Sequence, residues 1–109
     1  MADTLKVLGQ ADLAATTLTD VYTVPAATST TVSSIVICNR AGTSTTFRVS
    51  VSVAGAADDV KQYIYYGLTI PANETFIATV GLTLAATDVL RFYAAASSVT
   101  ASAYGVEVT

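Results

Sequence analysis

Apolar and polar residues alternate with a period of two along most of this chain. The pattern is clearest from Phe47 to Val53, where Phe47, Val49, Val51 and Val53 are apolar and Arg48, Ser50 and Ser52 are polar. Side chains of a β-strand point to opposite faces in turn, so this run predicts a strand with its odd face on a core and its even face toward water. Other strands are predicted over residues 4–8, 18–24, 31–38, 60–66, 75–80, 88–94 and 99–108, with no helical period between them. Pro25, which has no N–H to give a ladder, ends the second of these. Asn39-Arg40-Ala41-Gly42 reads as a turn, residues 54–59 as a small and acidic loop, and Gly67 and Pro71 as stops for the strand before them.

Some phases carry more than a boundary. Ile35-Val36-Ile37-Cys38 is apolar on both faces, so one face meets an opposite sheet and the other something else. Over residues 60–66, Val60, Gln62, Ile64 and Tyr66 share one face, read as the core face, and Lys61, Tyr63 and Tyr65 the other. In the last strand the apolar set moves from Val99, Ala101 and Ala103 to Val106 and Val108, a shift that a bulge at Gly105 explains. About eight short strands with turn chemistry between them predict an all-β fold, an antiparallel β-sandwich over residues 1–109, most naturally a jelly roll. Thr23-Val24-Pro25-Ala26 and Thr69-Ile70-Pro71-Ala72 form a short echo, which predicts the same corner in both halves of the fold.

Composition changes this picture in one respect. With 109 residues, 52% hydrophobic and only 12% charged, the chain is long enough for one core but short of charge for a monomer's surface. Part of its exterior is therefore expected to be covered by a partner. The five basic residues are scattered and the net charge is −3, which argues against nucleic acid. No charge occurs from Val21 to Asn39, yet Pro25 and many Ser and Thr make that stretch two strands and a turn, with no membrane span. The N-terminal residues lack the layout of a secretory leader. Cys38 is the one cysteine and reads as a buried apolar residue.

Candidate chemistry is sparse. The chain has no histidine and no G-x-S-x-G elbow, which removes most acid–base and triad readings. Asp58-Asp59 is the one adjacent carboxylate pair and reads as a solvated tip, with no metal or other cofactor expected. Asn73-Glu74-Thr75 matches the glycosylation triplet but reads as a turn after Pro71. Aromatic residues offer more. With Leu90 and Phe92 inward, Arg91 and Tyr93 face outward, and Lys61, Tyr63 and Tyr65 are placed outward as well. Tyr and Arg are enriched at interface hot spots, so these five residues are the candidate protein interface. The competing reading lines a second covered face of the sheet with Tyr63 and Tyr65.

Several segments carry a resemblance: Val21-Tyr22-Thr23-Val24-Pro25-Ala26, Val36-Ile37-Cys38-Asn39-Arg40-Ala41-Gly42 with Thr45-Thr46-Phe47-Arg48-Val49, Tyr63-Ile64-Tyr65-Tyr66 with Ile70-Pro71-Ala72-Asn73-Glu74-Thr75-Phe76, and Leu84-Ala85-Ala86-Thr87-Asp88-Val89. In these the chain resembles small virion structural proteins of tailed bacteriophages, including those of cyanobacterial hosts. The resemblance implies a non-enzymatic β-sandwich made in the host cytoplasm and carried on the particle surface. There it would be a capsid decoration (cement) protein or a tail or fibre component, the latter in a position to touch the host. Its implied partners are the major capsid protein or tail proteins and copies of itself, often as trimers. The last strand is richer in alanine than the resemblance leads one to expect.

Overall fold

A computed structural model describes residues 2–109. Among these residues nine strands form: β1 (Asp3–Asp12), β2 (Thr19–Thr23), β3 (Ser29–Asn39), β4 (Thr45–Ser52), β5 (Tyr63–Ile70), β6 (Thr75–Ala78), β7 (Leu82–Leu84), β8 (Val89–Ala94) and β9 (Val99–Val108). One sheet has the order β1-β9-β3-β6, with β7 also on β3, and the other has the order β2-β8-β4-β5. Strands β4 and β5, β3 and β6, β2 and β8, and β1 and β9 pair antiparallel. The chain is thus one long hairpin rolled up so that successive pairs fall in alternate sheets. That arrangement is a jelly roll. The short dimension of the molecule, 19 Å, is that of two sheets about 10 Å apart with their outer side chains.

The ninth strand comes from a break. β6 lies on Ile35–Cys38 of β3 and β7 on Thr30–Val32, so together they are one strand interrupted before Leu82. The expected corner repeat is present: Pro25 and Pro71 each precede a turn that carries a residue with positive φ, Ala27 at 56° and Asn73 at 57°. Both corners carry the chain from the β2-β8-β4-β5 sheet into the other one.

Between the sheets lie Phe47, Phe92, Leu13, Ile35, Ile37 and Ile70, all fully buried. Tyr22 also enters this layer, and its hydroxyl donates to Glu107 Oε2 at 2.6 Å and lies 2.7 Å from Thr30 Oγ1. Lys6 Nζ closes on Glu107 Oε1 at 3.3 Å. A carboxylate buried next to a core needs such partners, since an unpaired one would cost several kcal/mol.

The structure corrects several sequence expectations. β9 keeps one phase: Val99, Ala101, Ala103 and Glu107 are buried, while Val106 and Val108 face outward and are half-buried. The register shifts lie instead on its neighbours, between Val7 and Gly9 of β1 and between Val32 and Ser34 of β3. Gly105 is required for another reason, because a Cβ there would collide with the carbonyl oxygen of Thr31. On β4 the odd face is inward at Phe47 and Val49, but Ser50 and Ser52 on the even face are also buried. Strand β4 stops at Ser52, and Val53 is exposed. Cys38 is half-buried on an outer face rather than sealed in the core.

Candidate protein-contact site

Register fixes which side chains share the outer face of the β2-β8-β4-β5 sheet. Arg48 stands opposite Tyr93 of β8 and Tyr66 of β5, and Ser50 stands opposite Arg91 and Tyr63. Directly opposed residues point to the same side, so Arg48, Tyr63, Tyr66, Arg91 and Tyr93 form one outward surface. The Arg48 guanidinium lies 4.2 Å from the Tyr66 ring centre and 4.4 Å from that of Tyr93. Tyr63 meets Tyr66 edge to face, with ring centres 4.9 Å apart. Arg48 is in none of the three ion pairs among the described residues, which are Lys6–Glu107, Arg40–Asp12 and Arg91–Asp20.

Two bulges in β5 produce this grouping. Val49 pairs with Tyr65 and Ser50 with Tyr63, which leaves Ile64 as an extra residue; Phe47 pairs with Leu68 and Arg48 with Tyr66, which leaves Gly67 extra. Gly67 takes φ of +72°, a conformation open to glycine at little cost. Each extra residue reverses the phase. Tyr65 therefore turns inward, with its ring 6.3 Å from Phe47 and 5.3 Å from Phe76, and Tyr66 turns outward with 63% of its surface exposed.

These bulges overturn part of the expected face. Tyr63, Arg91 and Tyr93 do face outward together. Tyr65 does not, because the first bulge carries it to the core side. Lys61 is exposed but sits in the 3-10 turn Val60–Gln62 that precedes β5, not on the strand. Val60, expected in the core, is 83% exposed, and Ile64 is exposed too. Arg91 is already engaged: Nε donates to Asp20 at 2.8 Å and Nη1 to the Ala56 carbonyl at 2.9 Å. It pins a loop rather than reaching out.

That loop, Val53 to Gln62, folds back over the sheet and covers Ser52, while Ser50 stands between the opposed Arg91 and Tyr63. Ser52 Oγ donates to the Ala56 carbonyl at 2.6 Å, and Gln62 Nε2 donates to the Ala57 carbonyl at 3.0 Å. The Ala54 N–H donates to Asp88 at 2.9 Å. Asp59 caps the following turn by accepting from the Lys61 N–H while its own N–H donates to Gln62 Oε1. Asp58 is thereby held where the Tyr63 hydroxyl donates to it at 3.1 Å. Burial first, and then this carboxylate, push the Tyr63 phenol above its ordinary pKa. Beside Arg48 an open cleft of about 390 Å³ is lined by Arg48, Asp58, Asp59, Val60, Tyr63 and Tyr66.

Chemically this surface offers hydrogen-bond donors, ring faces and carboxylates. Its groups are a permanently charged guanidinium, three phenols and two carboxylates with local partners, and none is a nucleophile beside a base. A guanidinium fixed between two rings has little rotamer entropy left to lose, so its N–H donors are prepared for an acceptor on a partner. Arg48 and Tyr66 are absent from the residues picked out in the sequence. For Arg48 the signal was present, since its even position in the clearest alternating run points it outward. For Tyr66 the one signal was Gly67, read as a stop rather than a bulge. Compared with known proteins, the chain matches no family model, and no curated protein is similar to it.

Proposed function

We propose that this protein is a virion structural protein of a tailed phage that works by protein–protein contact, as a capsid decoration or cement protein at capsomer junctions. The single observation that carries the contact reading is the Arg48 guanidinium held between Tyr66 and Tyr93 on an outer sheet face, without an ion-pair partner among the described residues. Arg and Tyr in this arrangement are the residue types that dominate binding energy at interfaces. The low charge of the chain and the sequence resemblance support the placement on a particle.

The test is co-sedimentation with capsid shells of the phage that encodes the chain. Wild type pellets with the shells, and Arg48→Ala or Tyr66→Ala weakens binding at least tenfold, the loss expected of a hot-spot residue at about 1.4 kcal/mol per decade. Wild-type protein left in the supernatant at every shell concentration contradicts the proposal. A second reading, a tail or tail-fibre module, is favoured by the open cleft beside Arg48, whose size is in the range of small-ligand sites. Copy number separates the two: hundreds per particle for decoration, a few dozen or fewer for the tail.

A further inference from the structure

The opposite face of the molecule carries a second surface, unrelated to the arginine clamp. On the outer side of the β1-β9-β3-β6 sheet, pairing places Leu5 beside Val106, Val7 beside Tyr104, and Val36 beside Ile77. Leu5 is 80% exposed, Val7 48% and Ile77 65%. Of the charged residues on this sheet, Lys6 and Glu107 lie on the other side, where they pair with each other. Asp3 and Asp12, at the two ends of β1, are the carboxylates this face has along that strand. Its middle is uncharged.

The relief of the face is uneven along the strands. Toward one end the exposed Leu5 and Val7 stand beside the half-buried Val106 and Val108 and make an apolar rise. Toward the other end lies a hollow of about 410 Å³, lined by Gln10, Asp12, Val36, Cys38, Thr100 and Ser102. Tyr104 stands between the two, its hydroxyl accepting from Ser102 Oγ at 3.1 Å. A two-fold axis lying in the contact plane and crossing β9 near Tyr104 exchanges these ends: it sets the rise of each copy over the hollow of the other. Such a surface complements itself, which is what an isologous pair requires.

Size agrees. β1 and β9 have ten residues each, β3 has eleven, and β6 and β7, which share the fourth position of the sheet, have four and three. At about 3.3 Å per residue and about 4.8 Å between strands, the face spans roughly 600 Å² per copy. A pair then buries about 1,200 Å², the lower edge of a specific stable interface. The middle of the face brings no like charges together on self-pairing, and at its ends, where the exchange sets Asp3 of one copy toward Asp12 of the other, Asp12 is already paired with Arg40 at 3.2 Å, although each chain carries a net charge of −3. We propose that the outer face of the β1-β9-β3-β6 sheet is a homodimer interface, closed by packing the Leu5–Val7 rise of one copy into the Cys38–Ser102 hollow of a second copy.

Cys38, the one cysteine, reports directly on the hollow. The experiment measures the mass of the full chain by sedimentation velocity from 1 to 200 µM, together with the rate of Cys38 alkylation by iodoacetamide at both ends of that range. The proposal expects a species of twice 11.2 kDa at the higher concentration and alkylation at least tenfold slower there. Leu5→Glu, at a position too exposed to disturb folding, gives a monomer with concentration-independent alkylation. Val106→Glu does the same, and unchanged circular dichroism for each variant separates loss of pairing from loss of fold. A monomer at 200 µM, a dimer in which Cys38 reacts at the monomer rate, an assembly of another order, or a dimer that survives Leu5→Glu each overturns it. Binding to capsid shells is a separate measurement, so this proposal and the functional one can fail independently.

Discussion

Replacing Tyr22 by Phe removes one oxygen from the core and leaves the rest of the ring in place. That oxygen donates to Glu107 at 2.6 Å and contacts Thr30 at 2.7 Å, and Glu107 keeps only 12% of its side chain exposed. A hydrogen bond to a charged group contributes about 1.5–3 kcal/mol, so the variant is expected to lose roughly 2 kcal/mol at pH 7. For a domain near this size that corresponds to a fall in Tm of roughly 10 °C. The loss also depends on pH. The Tyr22 hydrogen bond, opposed by burial and helped by Lys6, holds the Glu107 carboxyl below its ordinary value of 4.5. A carboxyl with a depressed folded pKa contributes stability that is present above the unfolded value and is lost as pH falls through the folded one. Urea unfolding of wild type and Tyr22→Phe at pH 7 and pH 3 is the assay. The gap between them should be near 2 kcal/mol at pH 7 and clearly smaller at pH 3. A gap under about 0.5 kcal/mol at pH 7, within the scatter of ordinary surface changes, or one that does not shrink in acid, refutes the reasoning.

Other outcomes follow from the same geometry. Tyr65→Ala, which strips a ring from Phe47 and Phe76, should destabilise the fold by about 3 kcal/mol, while Tyr66→Ala on the outer face should cost under about 1 kcal/mol; equal costs in thermal unfolding would contradict the bulge at Ile64. Gly105→Ala should cost about 3 kcal/mol or more, or prevent folding, because its Cβ falls on the Thr31 backbone. Ser50 Oγ is buried with no hydrogen-bond partner among the described residues, so Ser50→Ala should be neutral or stabilising in urea unfolding; a loss above about 1 kcal/mol speaks against that environment. Burial, with the Glu107 carboxylate, pushes the Tyr22 phenol up to about 12. It stays protonated in the folded chain after the unfolded one ionises near 10, so wild-type stability should fall from pH 10 to 12 and fall less in Tyr22→Phe.

The fold was legible because its strands alternate and its turns carry Gly, Pro and Asn. Residues 99–108 appear as β9 with the predicted bounds, and the Pro25 and Pro71 corners match as their shared residues imply. Phase within a strand was harder to read, since a bulge moves every later side chain to the other face while leaving composition unchanged. Tyr63-Ile64-Tyr65-Tyr66 shows this: the four residues read equally well with Tyr65 or Tyr66 outward, and only pairing with Val49 and Arg48 decides. In β9 the converse holds. Val106 and Val108 looked like a shifted core set because a buried glutamate, Glu107, occupies the inward position that an apolar residue usually takes, and its partners Tyr22 and Lys6 are distant in sequence. The covering of Ser52 by the loop from Val53 to Gln62 depends on hydrogen bonds the loop makes with Arg91 and Asp88, again beyond any local pattern.

We propose that this chain serves by seating its Arg48–Tyr66–Tyr93 surface on a neighbouring protein of a phage particle. Electron microscopy of intact particles of the encoding phage, at a resolution that shows side chains, tests it most directly. Density for the nine-stranded sandwich is expected on the particle exterior, with the Arg48 guanidinium against an acceptor of a neighbouring subunit. Particles that lack the chain, or that carry it with this surface bare to solvent, contradict it.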